Sequence, residues 1–96
     1  MPEKFTRWDP VDELHTENDQ ALYLNACLDE DPGDGSLIRI ALGDIARVRG
    51  MSQLARETGI SREGLYRALS ADGNPEFSTV LKVIRALRIK LHAQAA

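Results

Sequence analysis

The sequence predicts a small, mainly all-α domain of five-helix type, closed by a short pair of terminal β-strands. Three observations carry that prediction. Apolar residues recur at helical spacing through most of the chain, as in Ile38, Ala41, Leu42, Ile45 and Val48. Two clusters of turn-forming residues, Asp31-Pro32-Gly33-Asp34-Gly35 and Ala71-Asp72-Gly73-Asn74-Pro75, divide the helical stretches. Near the end, Leu87, Ile89 and Leu91 alternate with Arg88, Lys90 and His92, the two-residue period of a half-buried strand. The 96 residues are 43% hydrophobic but only 5% aromatic. They therefore read as one domain, residues 1–96, with a core of Leu, Ala and Ile near the lower size limit for folding without staples.

Phe5-Thr6-Arg7-Trp8 is a short extended candidate ending at Asp9-Pro10. There Asp9 can cap a first helical turn and Pro10 pre-sets its φ, with Val11 and Leu14 anchored inward. Thr16 to Asp19 has the spacing of a capping box, with Asp in place of Glu, and opens a helix through about Asp29. Its expected apolar face is Ala21, Leu24, Cys27 and Leu28, with Leu22 and Tyr23 at the edges. Ser36 is the expected cap of the next helix, which Gly50 ends. Ser78 is the expected cap of a last helix carrying Val80, Leu81, Ile84 and Leu87. A lone strand over residues 87–92 would leave its backbone unpaired. The prediction is that it pairs with Phe5–Trp8, either within one chain or between two chains of a dimer.

Residues 51–70, MSQLARETGISREGLYRALS, hold the most information. Leu54 and Ala55 share one face of a first helix, and Gly59 stands where the chain must turn and a left-handed residue costs least. Ile60 and Leu65 bury the elbow, while Ala68 and Leu69 continue the inner face of a second helix. Ser61 is its expected N-cap, leaving Arg62, Glu63, Tyr66 and Arg67 on the outer face. Two helices joined this way have the layout of a DNA-reading helix-turn-helix, with a plain αα-hairpin as the alternative. Gly64 is unusual inside a helix, where glycine costs about 0.5–1 kcal/mol relative to alanine. Close approach to DNA and tolerated drift both account for it.

Charge is divided along the chain. Residues 1–35 hold 10 Asp/Glu against 2 Lys/Arg, and residues 36–96 hold 5 against 10, so a net −3 conceals a balance of −8 and +5. Such asymmetry suits two surfaces with two partners, the basic half fitting a phosphate backbone. A solvated acidic face with no partner is the plainer reading of the first half. The single cysteine, Cys27, sits among apolar residues and reads as a structural thiol. His15 and His92 are isolated, and neither a nucleophile triad, a phosphate loop nor metal-ligand spacing is visible. No enzyme activity, metal or cofactor is expected, and the absence of a signal peptide or apolar span reads as cytoplasmic.

The run ALGDIARVRGMSQLARETGISREGLYRALSADGNPEFSTVLKVIRALRIKL resembles the Xre-type helix-turn-helix antitoxins of the addiction-module antidote family, relatives of HigA-like antitoxins. The likeness covers roughly residues 5 to 92 and is densest in GMSQLARETGISRE, LYRALS and GNPEF; the opening FTRWDPVDEL shares it. The resemblance implies a lambda-repressor-like fold and a DNA-binding antitoxin of a type II toxin–antitoxin module. Such a protein neutralises a small, basic RelE/HigB-like toxin and autorepresses its operon as a homodimer on double-stranded operator DNA. Carried over to this sequence, Arg62, Glu63 and Arg67 occupy base-facing positions, and Ser61 and Tyr66 are placed for phosphate or sugar. Arg can bridge guanine O6 and N7, and Glu can accept from cytosine N4. Glu63 has a second reading, as a first-turn cap or an i+4 partner of Arg67. Asn74 lies in the following loop, where donors meet phosphate. The chain departs from phage repressors at Met51, where those commonly carry a phosphate-binding Gln. Ser52, Gln53 or the helix amino end take that role here.

For the basic toxin, charge complementarity selects the acidic segment: Asp12, Glu13, Glu17, Asp19, Asp29, Glu30 and Asp31. Two other function classes share these residues: a stand-alone prophage-type repressor without a toxin, and a protein-interaction module that no longer binds DNA.

Overall fold

The computed structural model describes residues 13–96; Phe5–Trp8, Asp9-Pro10, Val11 and Asp12 lie outside the described residues. Among the described residues the chain is all-helical. Its helices are α1 (Glu17–Glu30), α2 (Ser36–Arg49), α3 (Met51–Thr58), α4 (Arg62–Ala68) and α5 (Phe77–Ala86). Helix α1 lies along α2, and α3 packs against α2, α4 and α5. Leu24, Leu42, Ile45, Leu65, Val83 and Leu87 form the fully buried centre.

Local chemistry sets most of the helix ends. The capping box at α1 is present: the Asp19 backbone N–H donates to Thr16 Oγ1 at 3.0 Å, and the Thr16 N–H donates to Asp19 Oδ2 at 3.2 Å. Leu14 is buried, as expected of its anchor position, and its carbonyl accepts from Gln20 Nε2 at 3.4 Å. Along α1 the buried residues are Gln20 and Leu24, with Tyr23 and Cys27 packed against the core, while Leu22 and Leu28 are exposed. Desolvation pushes the Cys27 thiol above its ordinary value, which suits a structural rather than a reactive cysteine.

Three expectations are corrected. Helix α2 is capped by Asp31 and Asp34 instead of Ser36: Asp31 Oδ2 accepts from the N–H groups of Gly33 and Gly35, Asp31 Oδ1 from Leu37, and Asp34 Oδ1 from Ser36. Ser36 is already the first helical residue, behind Gly35 at φ 82°. Helix α5 starts at Phe77 with Glu76 in the cap position, so Ser78 lies inside its first turn.

The third correction concerns residues 87–92, which are not a strand; among the described residues there is none. Leu87 instead caps α5, and Arg88 takes a left-handed conformation at φ 61°. The Arg88 N–H donates to the Arg85 carbonyl at 3.0 Å and the Ile89 N–H to the Ile84 carbonyl at 3.2 Å. This pair of bonds is a Schellman ending, and its usual apolar contact is supplied by buried Ile84 and Ile89. The alternation of Leu87, Ile89 and Leu91 arises because the chain reverses onto the core at Arg88. With no glycine at that position, nothing in the local sequence marked the cap.

Candidate nucleic-acid interface

The expected bend between α3 and α4 is present. Gly59 ends α3 at φ 76°, a backbone state that costs an L side chain, and donates its N–H to the Ala55 carbonyl at 2.9 Å. Thr58 Oγ1 closes the same turn, donating to the Leu54 carbonyl at 2.8 Å and accepting from the Ile60 N–H. Ser61 then caps α4, its Oγ accepting from the Gly64 N–H at 3.0 Å. Leu54, Leu65 and Leu69 hold both helices to the core, with Ala55 and Ile60 partly buried beside them.

With that inner face anchored, Arg62, Glu63, Tyr66 and Arg67 all stand exposed. The Arg62 guanidinium lies 6.0 Å from the centroid of the Tyr66 ring, within reach of a cation–π contact. Neither Arg62 nor Arg67 has an ion-pair partner among the described residues, and Glu63 does not bridge to Arg67. Gly64 faces inward more than its position suggested. A Cβ there would sit 3.1 Å from Ile60 Cγ2 and from Ser61 Oγ, so glycine leaves room for the elbow and its cap.

The expected contact residues fall into separate groups. Arg67 and Asn74 line one cleft at the end of α4, together with Ser70, Asp72 and Gly73. Tyr66 borders a second hollow against α2, beside Arg47 and Met51. Gln53 bonds Glu57 through Nε2 at 3.1 Å and lines a third groove, between α3 and α5, with Lys82 and Arg85. Ser52 is exposed.

Two residues the sequence did not single out shape the first cleft. Gly73 passes so near α4 that a Cβ would lie 2.5 Å from the Ala68 carbonyl oxygen and 2.6 Å from that of Arg67. Arg39 on α2 reaches across to the loop, donating to the Ser70 carbonyl at 3.2 Å through Nε and to the Ala71 carbonyl at 2.8 Å through Nη2. It thereby positions the segment that carries Asn74. Its partners are 31 and 32 residues away in sequence, so no local pattern could have found them. Asp72 also lines the cleft, an acidic side chain that would repel a phosphate brought there.

The acidic residues divide as well. Glu17 Oε2 meets Arg49 at 3.3 Å and Arg88 at 3.9 Å, Asp19 belongs to the capping box, and Asp31 holds the turn into α2. At Asp31, desolvation works against ionisation, but hydrogen bonds from Gly35, Gly33 and Leu37 hold its carboxyl below the usual value. Glu13, Asp29 and Glu30 are exposed and unpaired among the described residues. A buried carboxylate that the sequence did not signal, Asp44, accepts from the Tyr23 hydroxyl at 2.7 Å and pairs with Arg47. Burial, then the bond to Asp44, raises the Tyr23 phenol well above its ordinary value. Among the described residues no helix is long and apolar enough to cross a membrane.

The molecule is thus a small helical protein whose bihelical unit is compatible with a helix-turn-helix. A family model described as "Probable addiction module antidote protein" matches residues 4–95, and the chain belongs to that family. It is also similar to an uncharacterized protein of Haemophilus influenzae, 52% identical over 94 residues, which covers 98% of this chain and 95% of the relative. No solved structure matches the chain. The family's description suggests an addiction-module antidote, and an antidote family implies a toxin partner of some kind.

Proposed function

We propose that this antidote is a cytoplasmic, non-enzymatic, Xre-type DNA-binding protein that represses its own operon as a homodimer and neutralises a RelE/HigB-like toxin. The observation that carries the reading is the division of α4. Leu65 is wholly buried, while Arg62 and Arg67 project into solvent with no carboxylate partner among the described residues. A helix with its side chains is about 10–12 Å across, which fits a major groove about 12 Å wide. Arg62 and Arg67 then read guanine edges, Ser61, Tyr66 and Asn74 fix the register on phosphates, and Ser52 with Gln53 adds contacts from α3. For the toxin, Glu13, Asp29 and Glu30 offer a basic partner exposed carboxylates that are unpaired among the described residues.

The test is a mobility shift on the promoter region, repeated across salt concentrations and against random DNA. Promoter affinity should fall steeply with salt, because phosphate neutralisation releases counterions. Arg67→Ala should cost roughly 1–3 kcal/mol on the operator and relax preference at one base pair, with co-purification of the neighbouring gene product unchanged. Equal loss on operator and random DNA would demote Arg67 to a backbone contact. Failure to bind the promoter at low salt removes the DNA reading.

A further inference from the structure

Helix α2 turns one face toward the end of α4. Ile40, Gly43, Asp44 and Arg47 recur at the spacing of that face, and with Tyr66 and Leu69 they line a hollow of about 280 Å³. Two ionisable side chains interrupt this mostly apolar wall. Asp44 is buried, while the Arg47 side chain is 49% exposed, so the hollow shows water a guanidinium and keeps the carboxylate beneath it.

Each oxygen of that carboxylate holds a different group. Oδ2 accepts from the Tyr23 hydroxyl of α1 at 2.7 Å, and Oδ1 accepts from Arg47 Nη2 at 2.5 Å. Tyr23 thus fixes Asp44 from a second helix, and Asp44 fixes Arg47. An ion pair three residues apart on a helix surface contributes little by itself and needs neither a buried carboxylate nor a third group to orient it.

We propose that Arg47 is a DNA-backbone contact, its guanidinium aimed by Asp44 and Tyr23 at a phosphate beside the groove that α4 enters. Position is the first argument. Tyr66, assigned above to phosphate or sugar, lines the same hollow, so a strand that reaches Tyr66 passes the rim where Arg47 stands. Chemistry is the second. A guanidinium carries five N–H donors in a planar fork, so it can bond a carboxylate on one edge and a phosphate on another. The bond to Asp44 orders this long side chain before DNA arrives, and less rotamer freedom is then lost on binding. Charge is the third. The exposed charge of the hollow is positive, which attracts a phosphate and repels a basic toxin. This role deepens the DNA reading above and depends on it.

Titration of promoter and random DNA across salt concentrations tests it, with urea denaturation of each variant alongside. Arg47→Ala should weaken both DNAs alike, by roughly tenfold, and flatten the slope of log affinity against log salt by about one. Arg47→Lys should keep the slope, because the charge remains. Tyr23→Phe should weaken binding in the parent yet add nothing in Arg47→Ala, as expected of a group that acts through the guanidinium. Arg47→Ala strands a buried carboxylate, so Arg47→Ala combined with Asp44→Ala replaces it if the single variant is unfolded, with the same loss of slope expected. A parental slope in a folded variant lacking Arg47 overturns the proposal and leaves the DNA reading standing. A loss confined to the promoter also overturns it, since the contact is then to a base. So does loss of co-purification with the neighbouring gene product at an unchanged slope, which assigns the hollow to the toxin. Equal losses from Tyr23→Phe in both backgrounds strike out its positioning role. If the parent ignores promoter DNA at low salt, this contact and the DNA reading fall together.

Discussion

Single residues at the candidate interface act through contacts that can be tested one at a time. Gly73 is the sharpest case, because the space a methyl group would need is already taken by two carbonyl oxygens of α4. Gly73→Ala should destabilise the fold by roughly 1–3 kcal/mol, read by urea denaturation, and should weaken operator binding by displacing Asn74. Asp31 gives a pH prediction. Its folded pKa lies below the unfolded one, so its contribution is complete above the unfolded value near 3.9 and disappears as pH falls through the lower folded value. Asp31→Asn should therefore lower the melting temperature at neutral pH, and the gap from the parent should close progressively below about pH 3.9. A gap that stays constant into strong acid would mean that the carboxylate's charge plays no part. Gly59 and Ser61 were legible in the sequence because their chemistry is local: a left-handed turn and a cap three residues from its donor. Asp31 was legible as part of a turn-forming cluster and as a charge, but not as the acceptor that caps α2. Its use inside the turn depends on how residues 33–37 curl around it.

Among the elements, the end of α5 shows how a periodic pattern can have two physical causes. Alternating apolar residues describe a strand when the chain is extended. They also describe a helix that ends and folds back, as when Leu87 finishes α5 and Ile89 returns to Ile84. The arrangement leaves Arg88 with a positive φ, which costs a non-glycine residue roughly 1–2 kcal/mol. Arg88→Gly should relieve that strain and raise stability by about 0.5–1 kcal/mol, reduced by glycine's greater freedom when unfolded and by loss of the exposed contact to Glu17. Arg88→Ala should bring no such gain, since it keeps the strain and loses the contact. Equal effects from the two variants, measured by thermal melting, would show that the left-handed turn is not what sets the cost. The bihelical unit was more readable than this ending, because the small and apolar positions of residues 54–69 have a single helical interpretation.

At the scale of the whole molecule, stability depends on long side chains that tie helices far apart in sequence. Arg49 on α2 donates to Gln20 Oε1 at 2.9 Å, 29 residues away, and to the Leu87 carbonyl at 2.6 Å, 38 residues away. Arg49→Ala would leave both acceptors short of a partner, at a cost of about 1–3 kcal/mol in chemical denaturation, with affinity for a single operator half-site unchanged. A loss within a few tenths of a kcal/mol would show that water replaces the guanidinium at no net cost. The division of charge along the chain pointed to two working surfaces, yet the fold withdraws part of each from duty. Arg39 and Arg49 make internal contacts, as do Glu17, Asp19 and Asp31. By itself the sequence determined the helical class, the bend at Gly59–Ser61 and the outward set of Arg62, Tyr66 and Arg67, because spacing and capping act over a few residues. Tertiary structure alone decided which charges stay free, how α5 ends and which hollow Arg47 shares with Tyr66, since each depends on groups that meet only when distant segments pack.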